Sequence, residues 1–431
     1  MSYRNQRPSI AVIGAGIAGA ACAAGLAAAG WQVTLFDKAR EVGGRMATRR
    51  VPVQALRAAG LDAQGACADP RVAERNSDAG HANHINHASH ASFDHGAQQF
   101  TAQSPRFRAL LGRAEKLGRV ARWQQRVSAS FPAPTLRDRF VPIPDMPALC
   151  RHLLEAVPVR LDHQVQRLYR SPAGWQLALA NGGSVGAFDQ VLLAMPPAQA
   201  ALLLAGHQDV WADALTAVPM TACWTLMAVT DEVDWPWDAA EPERGPLALV
   251  ARDDRKPGRY AEPGRARWVA HATPQWSAQH LDDDPGEVAD ALRAALAEQL
   301  PCAAGTQPLW HQSRVHRWRY ATLAQPVADG AYCWWDHAIG LGVCGEAFGD
   351  GTIEGAWVSG DELADVVAAG LECAETMLAE NAALALVAGT GSGAQGSVPS
   401  VAVTSTSSST TPTASAETSA ALSTDSSEAM H

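Results

Sequence analysis

The sequence of 431 residues has few lysines, and its cysteines show no pairing pattern. Only three of its 34 basic residues are lysines, namely Lys38, Lys116 and Lys256. No lysine or arginine follows position 319, and no basic stripe marks one face or helix, so we expect no nucleic-acid partner. The eight cysteines include no CxxC pair, which predicts reduced thiols and a cytoplasmic location.

Long hydrophobic runs are absent as well. No apolar stretch reaches the roughly 20 residues of a membrane-spanning helix, so we expect no membrane association. The opening MSYRNQRPSI leads directly into a strand pattern, and we expect no secretory signal. With 47% apolar and 18% charged residues, the chain can still bury a sizeable core in one or two domains.

Two segments lack the spaced large apolar residues of a packed domain. Residues 387–431 are rich in Ser and Thr and predict a disordered tail. Residues 52–92 predict an inserted loop that contains His81, His84, His87 and His90 at intervals of three. Because this insert offers no carboxylate partner in register, we expect no metal site there.

The remaining sequence alternates strand and helix patterns. SIAVIGAG predicts a strand, GIAGAACAAGLAAAG a helix closed by Gly30, and WQVTLFDK a second strand. LGVCGE, at 341–346, predicts another strand, and the residues after it predict a helix. This alternation indicates an α/β fold whose parallel sheet draws on both ends of the chain, with a second domain between them.

A glycine pattern lies between the first strand and the first helix. Gly14 allows the tight turn, Gly16 lets the backbone approach a pyrophosphate, and Gly19 lets helix and strand pack closely. The helix start, with Ile17 and Ala18, offers free N–H groups to phosphates. Asp37 ends the second strand, where a carboxylate accepts ribose hydroxyls. The pattern therefore predicts a dinucleotide site.

The next residues, DKAREVGGRMATRR, contain Gly43, Gly44 and Arg45. An acidic strand end followed by GGR resembles the FAD-binding signature of the flavin amine oxidase superfamily. The resemblance implies that the glycine pair and Arg45 lie against the pyrophosphate and the flavin. A guanidinium is a planar, permanently charged donor suited to phosphate.

The far segment LGVCGEAFGDGTIEGAWVSG resembles the second flavin motif of the same superfamily. There Gly345 and Glu346 would contact the ribityl and phosphate region, although the family usually has Asp at the position of Glu346. Gly355, Ala356 and Trp357 would begin the helix that points at the isoalloxazine. The predicted cofactor-binding residues are Gly14, Gly16, Ile17, Ala18, Gly19, Asp37, Lys38, Gly43, Gly44, Arg45, Met46, Gln98, Val165, Gly345, Glu346, Glu354, Gly355, Ala356 and Trp357.

Four further stretches resemble bacterial renalase-type flavoproteins: FDHGAQQFTAQSPRF, WVAHATPQWSAQHL, HRWRYA and IEGAWVSG. The resemblance covers most of 8–380. It implies an α/β fold with a discontinuous Rossmann-type FAD-binding domain, non-covalently bound FAD, and a second β-sheet-plus-helices substrate domain. The predicted boundaries are 8–51, 93–100, 146–205 and 336–383 for the FAD-binding domain, and 101–145 and 206–335 for the substrate domain.

The same resemblance implies an oxidase acting on a small dinucleotide. FAD would take a hydride from isomeric dihydro forms of NAD(P)H and pass electrons to O2, giving NAD(P)+ and hydrogen peroxide, in a monomer or homodimer. Two alternatives remain open: an amine oxidase for a small amine or polyamine, and a flavin-binding redox sensor. Many amine oxidases of the superfamily place a lysine near the flavin through a water, and Lys256 lies in the polar loop ARDDRKPGRY, where it is no clear match.

Hydride transfer to a flavin requires no general base, so no obligatory catalytic residue is predicted. The Gln98 amide follows a short glycine turn that runs beside the flavin in the family. Trp318 and Tyr320 share a strand face, and an arginine of this strand would meet substrate phosphates; a solvated edge strand is the alternative. The predicted pocket residues are Gln98, Phe100, His271, Trp276, Arg317, Trp318 and Tyr320.

Overall fold

A computed structural model describes residues 8–52, 90–128, 138–301, 308–327 and 330–370. The predicted tail, most of the predicted insert, and His81, His84 and His87 lie outside these ranges. None of the helices in these ranges combines the length and the hydrophobicity that spanning a bilayer requires.

The described residues form nineteen strands and eight α-helices. The strands are β1 (Ser9–Ile13), β2 (Gln32–Phe36), β3 (Thr48–Pro52), β4 (His90–Asp94), β5 (Phe100–Thr101), β6 (Val120–Arg122), β7 (Arg139–Pro142), β8 (Val159–Arg160), β9 (Val165–Ser171), β10 (Gly174–Leu179), β11 (Ser184–Phe188), β12 (Gln190–Leu193), β13 (Met220–Asp231), β14 (Ala239–Ala240), β15 (Leu247–Arg252), β16 (Arg265–Ala272), β17 (Trp310–Leu323), β18 (Trp334–Asp336) and β19 (Leu341–Val343). The helices are α1 (Ile17–Ala28), α2 (Pro105–Lys116), α3 (Ala148–Leu153), α4 (Pro197–Leu204), α5 (Asp209–Thr216), α6 (Pro274–Gln279), α7 (Pro285–Gln299) and α8 (353–370).

The first large sheet has six strands in the order β18-β19-β12-β1-β2-β8. β1 pairs in parallel with β2 and β12, and β12 pairs in parallel with β19. Only β18 runs antiparallel to its neighbour in this sheet. The prediction of a parallel sheet built from both ends of the chain is therefore confirmed.

Helix α1 and helix α8 pack closely beside this sheet. Eight of the twelve residues of α1 are buried, and most are Ala or Gly, so another backbone can approach. A Cβ on Gly360 of α8 would lie 2.0 Å from the carbonyl oxygen of Ala18 in α1. This contact holds the second predicted flavin motif against the first.

The second large sheet is antiparallel and has the order β14-β15-β16-β13-β17. We call it the substrate sheet, because its strands lie within 206–335 of the predicted substrate domain. Side chains alternate between its faces, as strand geometry requires. One face packs Trp224 and Trp268 against helix α7. The other face, which we call the front face, packs Met227 and Val269 against Phe93 of β4. Both sides of the substrate sheet are therefore covered.

The predicted insert differs from a simple loop at its two ends. β3 and β4 form an antiparallel pair in which Thr48 is opposite Asp94 and Val51 is opposite Ala91. Pro52 and 90–92 therefore belong to strands, because main-chain pairing and the burial of Val51 extend the hairpin.

Candidate active site

The turn after β1 requires glycine for two reasons. Gly14 has φ +115°, a conformation that other residues rarely adopt. A Cβ there would also lie 2.2 Å from the carbonyl oxygen of Ala194. The turn is closed by the Gly14 amide, which donates to the Phe36 carbonyl oxygen at 2.8 Å. The first motif glycine thus sets the path of the chain between β1 and α1.

The start of α1 is open to a ligand. Gly16 caps this helix without a side-chain hydrogen bond, and the first turn contains no acidic residue. A Cβ on Gly16 would meet nothing within 4 Å. Free N–H groups and the positive end of the helix dipole therefore face space that suits a pyrophosphate.

Asp37 lies beside this turn at the end of β2. Its Oδ2 accepts from the Ala15 amide at 2.6 Å, and its Oδ1 accepts from the Ala39 amide at 2.7 Å. Each carboxylate oxygen keeps further acceptor capacity for a hydroxyl group. The adjacent Lys38 is exposed and donates to Oε1 of Gln199 at 3.1 Å.

The two flavin motifs meet through an ion pair between Arg45 and Glu346. Arg45 also donates to the Ala321 carbonyl oxygen at 3.3 Å. The second oxygen of Glu346, Oε1, is buried and has no hydrogen-bond partner. Burial raises the pKa of Glu346, while the charge of Arg45 opposes that rise. An unpartnered buried acceptor beside an open helix start fits a polyhydroxyl chain such as the ribityl group of FAD.

Other predicted cofactor residues have protein partners. Both oxygens of Glu354 accept main-chain amides, from Gln103 at 2.8 Å and from Ser104 at 2.5 Å. Glu354 thus ties α8 to the start of α2. The Gly345 amide donates to the Ser359 hydroxyl oxygen at 2.8 Å. Ile17, Ala18, Met46, Ala356 and Trp357 are buried in the core around α1, and Val165 is half-buried at the start of β9.

The loop 94–98 connects the flavin motifs to the front face. A Cβ on Gly96 would lie 1.9 Å from the Arg45 carbonyl oxygen, which accepts the Ala97 amide at 2.9 Å. On its other side, the loop receives a hydrogen bond from Nε1 of Trp318 to the His95 carbonyl oxygen at 3.0 Å. The loop is therefore held between the GGR segment and β17.

Gln98 is buried, and hydrogen bonds to both its amide nitrogen and its amide oxygen fix the orientation of the side chain. Its Nε2 donates to the Gly96 carbonyl oxygen at 3.0 Å and to that of Asp94. The same nitrogen lies 3.4 Å from Nε2 of His271. Its Oε1 accepts from Nζ of Lys256 at 2.8 Å. Two residues predicted for the pocket, Gln98 and His271, are thus brought together.

Lys256 belongs to a buried charged group that the sequence did not reveal. We call Asp94, Asp253, Lys256 and Arg259 the Lys256 cluster; their side chains are at most 1% exposed. Nζ of Lys256 lies 3.1 Å from Asp94 and 2.8 Å from Asp253, while Arg259 lies 2.7 Å from Asp94. Two carboxylates balance two cations, as burial of charge requires.

Lys256 does lie in the polar segment between β15 and β16, but its ammonium group is buried inside the protein. Burial alone would raise the pKa of Asp94, but the charges of Lys256 and Arg259 hold that pKa below its usual range. Burial raises the pKa of Asp253.

Three histidines near the loop are uncharged at neutral pH. Desolvation, followed by nearby positive charge, lowers the pKa of His95 to about 3 and those of His271 and His316 to about 4. The rings of His95, His316 and Trp318 pack together with centroids 4.4 to 5.1 Å apart. We call these three residues the aromatic cluster; it forms a neutral surface next to the Gly96 turn.

Strand alternation separates the predicted pocket residues into two groups. His271 and His316 are both opposite Thr225, and Trp318 is two residues beyond His316 on the front face. Arg317 lies on the back, where its guanidinium carbon is 5.5 Å above the Trp224 ring and Nη1 donates to the Leu281 carbonyl oxygen.

Trp276 also lies behind the sheet, where its ring stacks on His280 at 4.1 Å. Phe100 is buried between the rings of Phe107 and Phe140. Tyr320 is half-buried farther along β17, within a shift in strand register. The structure therefore joins Gln98, His271 and Trp318 but does not bring Trp276, Arg317 or Phe100 to them.

Two family models match this chain. An NAD(P)-binding Rossmann-like domain matches residues 12–60, and the flavin containing amine oxidoreductase family matches residues 133–368. The second match covers more than half of the chain. It includes β13, β16 and β17 of the substrate sheet together with the second flavin motif.

Several solved structures share the fold. Cyclohexylamine oxidase from Brevibacterium oxydans IH-35A has a TM-score of 0.59 at 12% identity, covering 85% of this chain and 100% of that one. A triple mutant of putrescine oxidase has a TM-score of 0.55 at 13% identity, covering 84% and 99%. Reduced UDP-galactopyranose mutase has a TM-score of 0.56 at 11% identity, covering 84% and 95%.

These similarities confirm the fold class, and at such identities they show the fold alone. A mutase and two oxidases share it, so the fold does not choose the reaction. The family match and the fit of the two glycine motifs identify FAD as the cofactor. The chain therefore belongs to the flavin containing amine oxidoreductase family and is an FAD-dependent oxidoreductase.

Proposed function

We propose that this protein oxidises the isomeric dihydro forms of NAD(P)H with O2, giving NAD(P)+ and hydrogen peroxide. The dihydropyridine ring loses one hydride, and its two electrons reach oxygen. The proton of that hydride and one solvent proton complete the peroxide. Bound FAD supplies the two-electron acceptor, and the protein supplies position and exclusion of water.

The observation that carries this proposal is the engagement of Lys256. An ammonium group has three N–H donors, and Asp94, Gln98 and Asp253 accept one each. The other lysines of the chain, Lys38 and Lys116, are exposed. No lysine is thus free to hold a water beside the flavin, as many amine oxidases of the superfamily do.

The charge around the front face also favours a dinucleotide over an amine. An alkylammonium substrate is attracted by free carboxylates, but Asp94 and Asp253 are already bound by Lys256. The imidazoles of His95, His271 and His316 are uncharged, so they do not attract an ammonium group either. An anionic substrate meets no unpaired carboxylate among these residues.

The neutral imidazoles of His95, His271 and His316 suit a substrate that donates a hydride and no separate proton. A protonated amine must lose a proton before a hydride can leave its carbon, whereas a dihydropyridine loses only the hydride. The aromatic cluster and His271 supply a neutral wall that excludes water, and Gln98 is held in one orientation by Lys256 and Gly96. These residues position and shield the donor without taking a proton from it.

Aerobic turnover of the purified FAD-loaded protein tests the proposal. Borohydride-treated NAD+ contains the isomeric dihydropyridines, and ordinary NADH and a panel of amines serve as comparisons. We expect NAD+ and hydrogen peroxide in equal amounts from the isomers, and little peroxide from the comparisons. Peroxide from an amine alone would make the protein an amine oxidase. Turnover of neither class would favour a redox sensor.

A further inference from the structure

Two arginines without an acidic partner lie near the aromatic cluster. Arg49 is in β3 and Arg314 is in β17, the edge strand of the substrate sheet. Both residues are exposed. Neither guanidinium has an ion pair or hydrogen bond with any residue that the structure describes.

Strand register brings the two arginines to the same face. Arg49 is opposite Phe93, which packs on the front face with Met227 and Val269. Arg314 is opposite Met227 itself, and it shares its side of β17 with His316 and Trp318 because alternate residues share a face. The two guanidinium groups therefore converge above the same patch of the sheet.

This convergence is electrostatically unfavourable without a ligand. Desolvation, followed by the charge of Arg314, lowers the pKa of Arg49. The charge of Arg49 also contributes to the lowered pKa values of His95 and His316. Like charges held together repel, and an anion between them removes that repulsion. A guanidinium pair offers the planar donor sets that bind phosphate oxygens in bidentate fashion.

The spacing along β17 between Arg314 and the flavin motifs matches the length of an extended dinucleotide. Trp318 and Arg314 are four residues apart along β17, which corresponds to about 13 Å of strand. Trp318 contacts the Gly96 turn beside Arg45, and His316 lies between Trp318 and Arg314 on the same face. A dinucleotide could therefore extend along β17, with its ring at one end and its phosphates at the other.

We propose that Arg49 and Arg314 bind the phosphate groups of the dinucleotide substrate, while its reacting ring lies toward Trp318 and Gln98. This inference rests on the proposed function, and it names the residues that would select an anionic, phosphate-bearing hydride donor. The predicted pocket residue Arg317 cannot be the arginine of β17 that meets those phosphates, because it lies behind the sheet.

Anaerobic flavin reduction by donors with different numbers of phosphates provides the test. The donors are the isomeric dihydro forms of the dinucleotide, the mononucleotide and the phosphate-free riboside. For the dinucleotide, we expect Arg49→Ala and Arg314→Ala each to raise the Kd by about tenfold to a hundredfold, with the limiting rate constant unchanged. For the riboside, we expect no change.

Arg319→Ala is the matched control, because Arg319 is an exposed arginine of the same strand that pairs with Asp282 behind the sheet. We expect it to leave all three donors unaffected. Arg49→Lys should restore part of the dinucleotide affinity, since it keeps the charge but loses the bidentate geometry. Equal losses for all three donors, or no loss for any, would overturn the phosphate site while leaving the oxidase proposal standing.

A wild-type protein whose flavin is reduced by none of the three donors would overturn the proposed function instead. Calorimetric titration of the FAD-loaded protein with ADP-ribose then decides the phosphate site separately. Binding to the wild type that is weakened about tenfold or more in Arg49→Ala and Arg314→Ala supports the site. Failure of ADP-ribose to bind the wild type overturns it.

Discussion

The cofactor turn and the front face of the substrate sheet are built in opposite ways. The cofactor turn uses main-chain groups, and its glycines and Asp37 lie within one strand–helix–strand unit. The front face uses side chains that meet only after folding, such as Lys256 and Asp94, which are 162 residues apart. Main-chain recognition needs particular residues at fixed spacing, whereas side-chain recognition depends on which strands become neighbours.

This difference separates the ways in which the two regions can fail. A side chain added at the cofactor turn blocks a ligand or strains the chain, whereas a charge removed from the Lys256 cluster leaves other buried charges without a partner. The following variants test that contrast, beginning with the largest expected effect.

Lys256→Met should have the largest effect on stability. It leaves the buried Asp94 and Asp253 short of a cation, and breaking a buried ion pair costs about 3–5 kcal/mol in the free energy of unfolding. Denaturant unfolding of the FAD-loaded protein measures the loss. Lys116→Met removes an exposed lysine from α2 and should change stability by less than about 0.5 kcal/mol. A similar small loss in both variants would contradict the role of the cluster.

Gly16→Ala should weaken FAD binding without harming the fold. Its new Cβ meets open space within the protein but enters the region that a pyrophosphate would occupy. We expect FAD affinity to fall by about tenfold to a hundredfold, the equivalent of one or two charged hydrogen bonds. Flavin fluorescence titration of the apoprotein measures the affinity.

Gly14→Ala is the comparison for that experiment. Its Cβ collides with the Ala194 carbonyl oxygen, so this variant should lose stability as well as FAD. Equal unfolding free energies for the Gly14→Ala and Gly16→Ala apoproteins would contradict this prediction, because only the Cβ at position 14 collides with the main chain.

Trp318→Phe should slow flavin reduction severalfold. The change removes the hydrogen bond from Nε1 to the His95 carbonyl oxygen, which contributes about 1 kcal/mol, and loosens the loop that carries Gln98. Trp276→Phe changes a tryptophan on the back of the same sheet and should leave the rate constant unaltered. Anaerobic stopped-flow absorbance measures both. A larger effect from Trp276→Phe would reverse the assignment of the two faces.

The smallest expected effect is that of pH on the limiting rate of flavin reduction. His95, His271 and His316 have pKa values of about 3, 4 and 4, so they remain neutral from about pH 6.5 to pH 8, and the rate constant should be flat there. These lowered values also predict stability that is present above about pH 6.5 and declines as the pH falls toward 4. A rate profile with an apparent pKa near 6.5 would contradict neutral imidazoles.

The sequence predicted most of the cofactor region, because its requirements are local. The turn at Gly14, the helix α1 and the acidic strand end at Asp37 all follow from spacing and residue type. The parallel sheet from both ends of the chain followed from the same alternation. The partner of Glu354 was not predictable, because the amides of Gln103 and Ser104 are about 250 residues away in sequence.

The front face was predicted only in part. Gln98 and His271 were singled out from the family resemblance, and the structure places them 3.4 Å apart. The two sides of β17 could not be assigned to solvent, core or ligand without knowing its neighbours, so the sequence placed Arg317 among the pocket residues and did not single out Arg314. Burial of Lys256 depends on the contact between residues 94–98 and residues 253–259, which are distant in sequence, and no local pattern encodes it.

The most direct test of the account is anaerobic mixing of the FAD-loaded protein with the isomeric dihydropyridines and, separately, with the amine panel. Neutral histidines on the front face and a fully engaged Lys256 predict rapid loss of flavin absorbance with the isomers, slow or no loss with amines and ordinary NADH, and peroxide when air is admitted. Rapid bleaching by an amine with no response to the isomers would contradict the account and make the amine oxidase function the correct one.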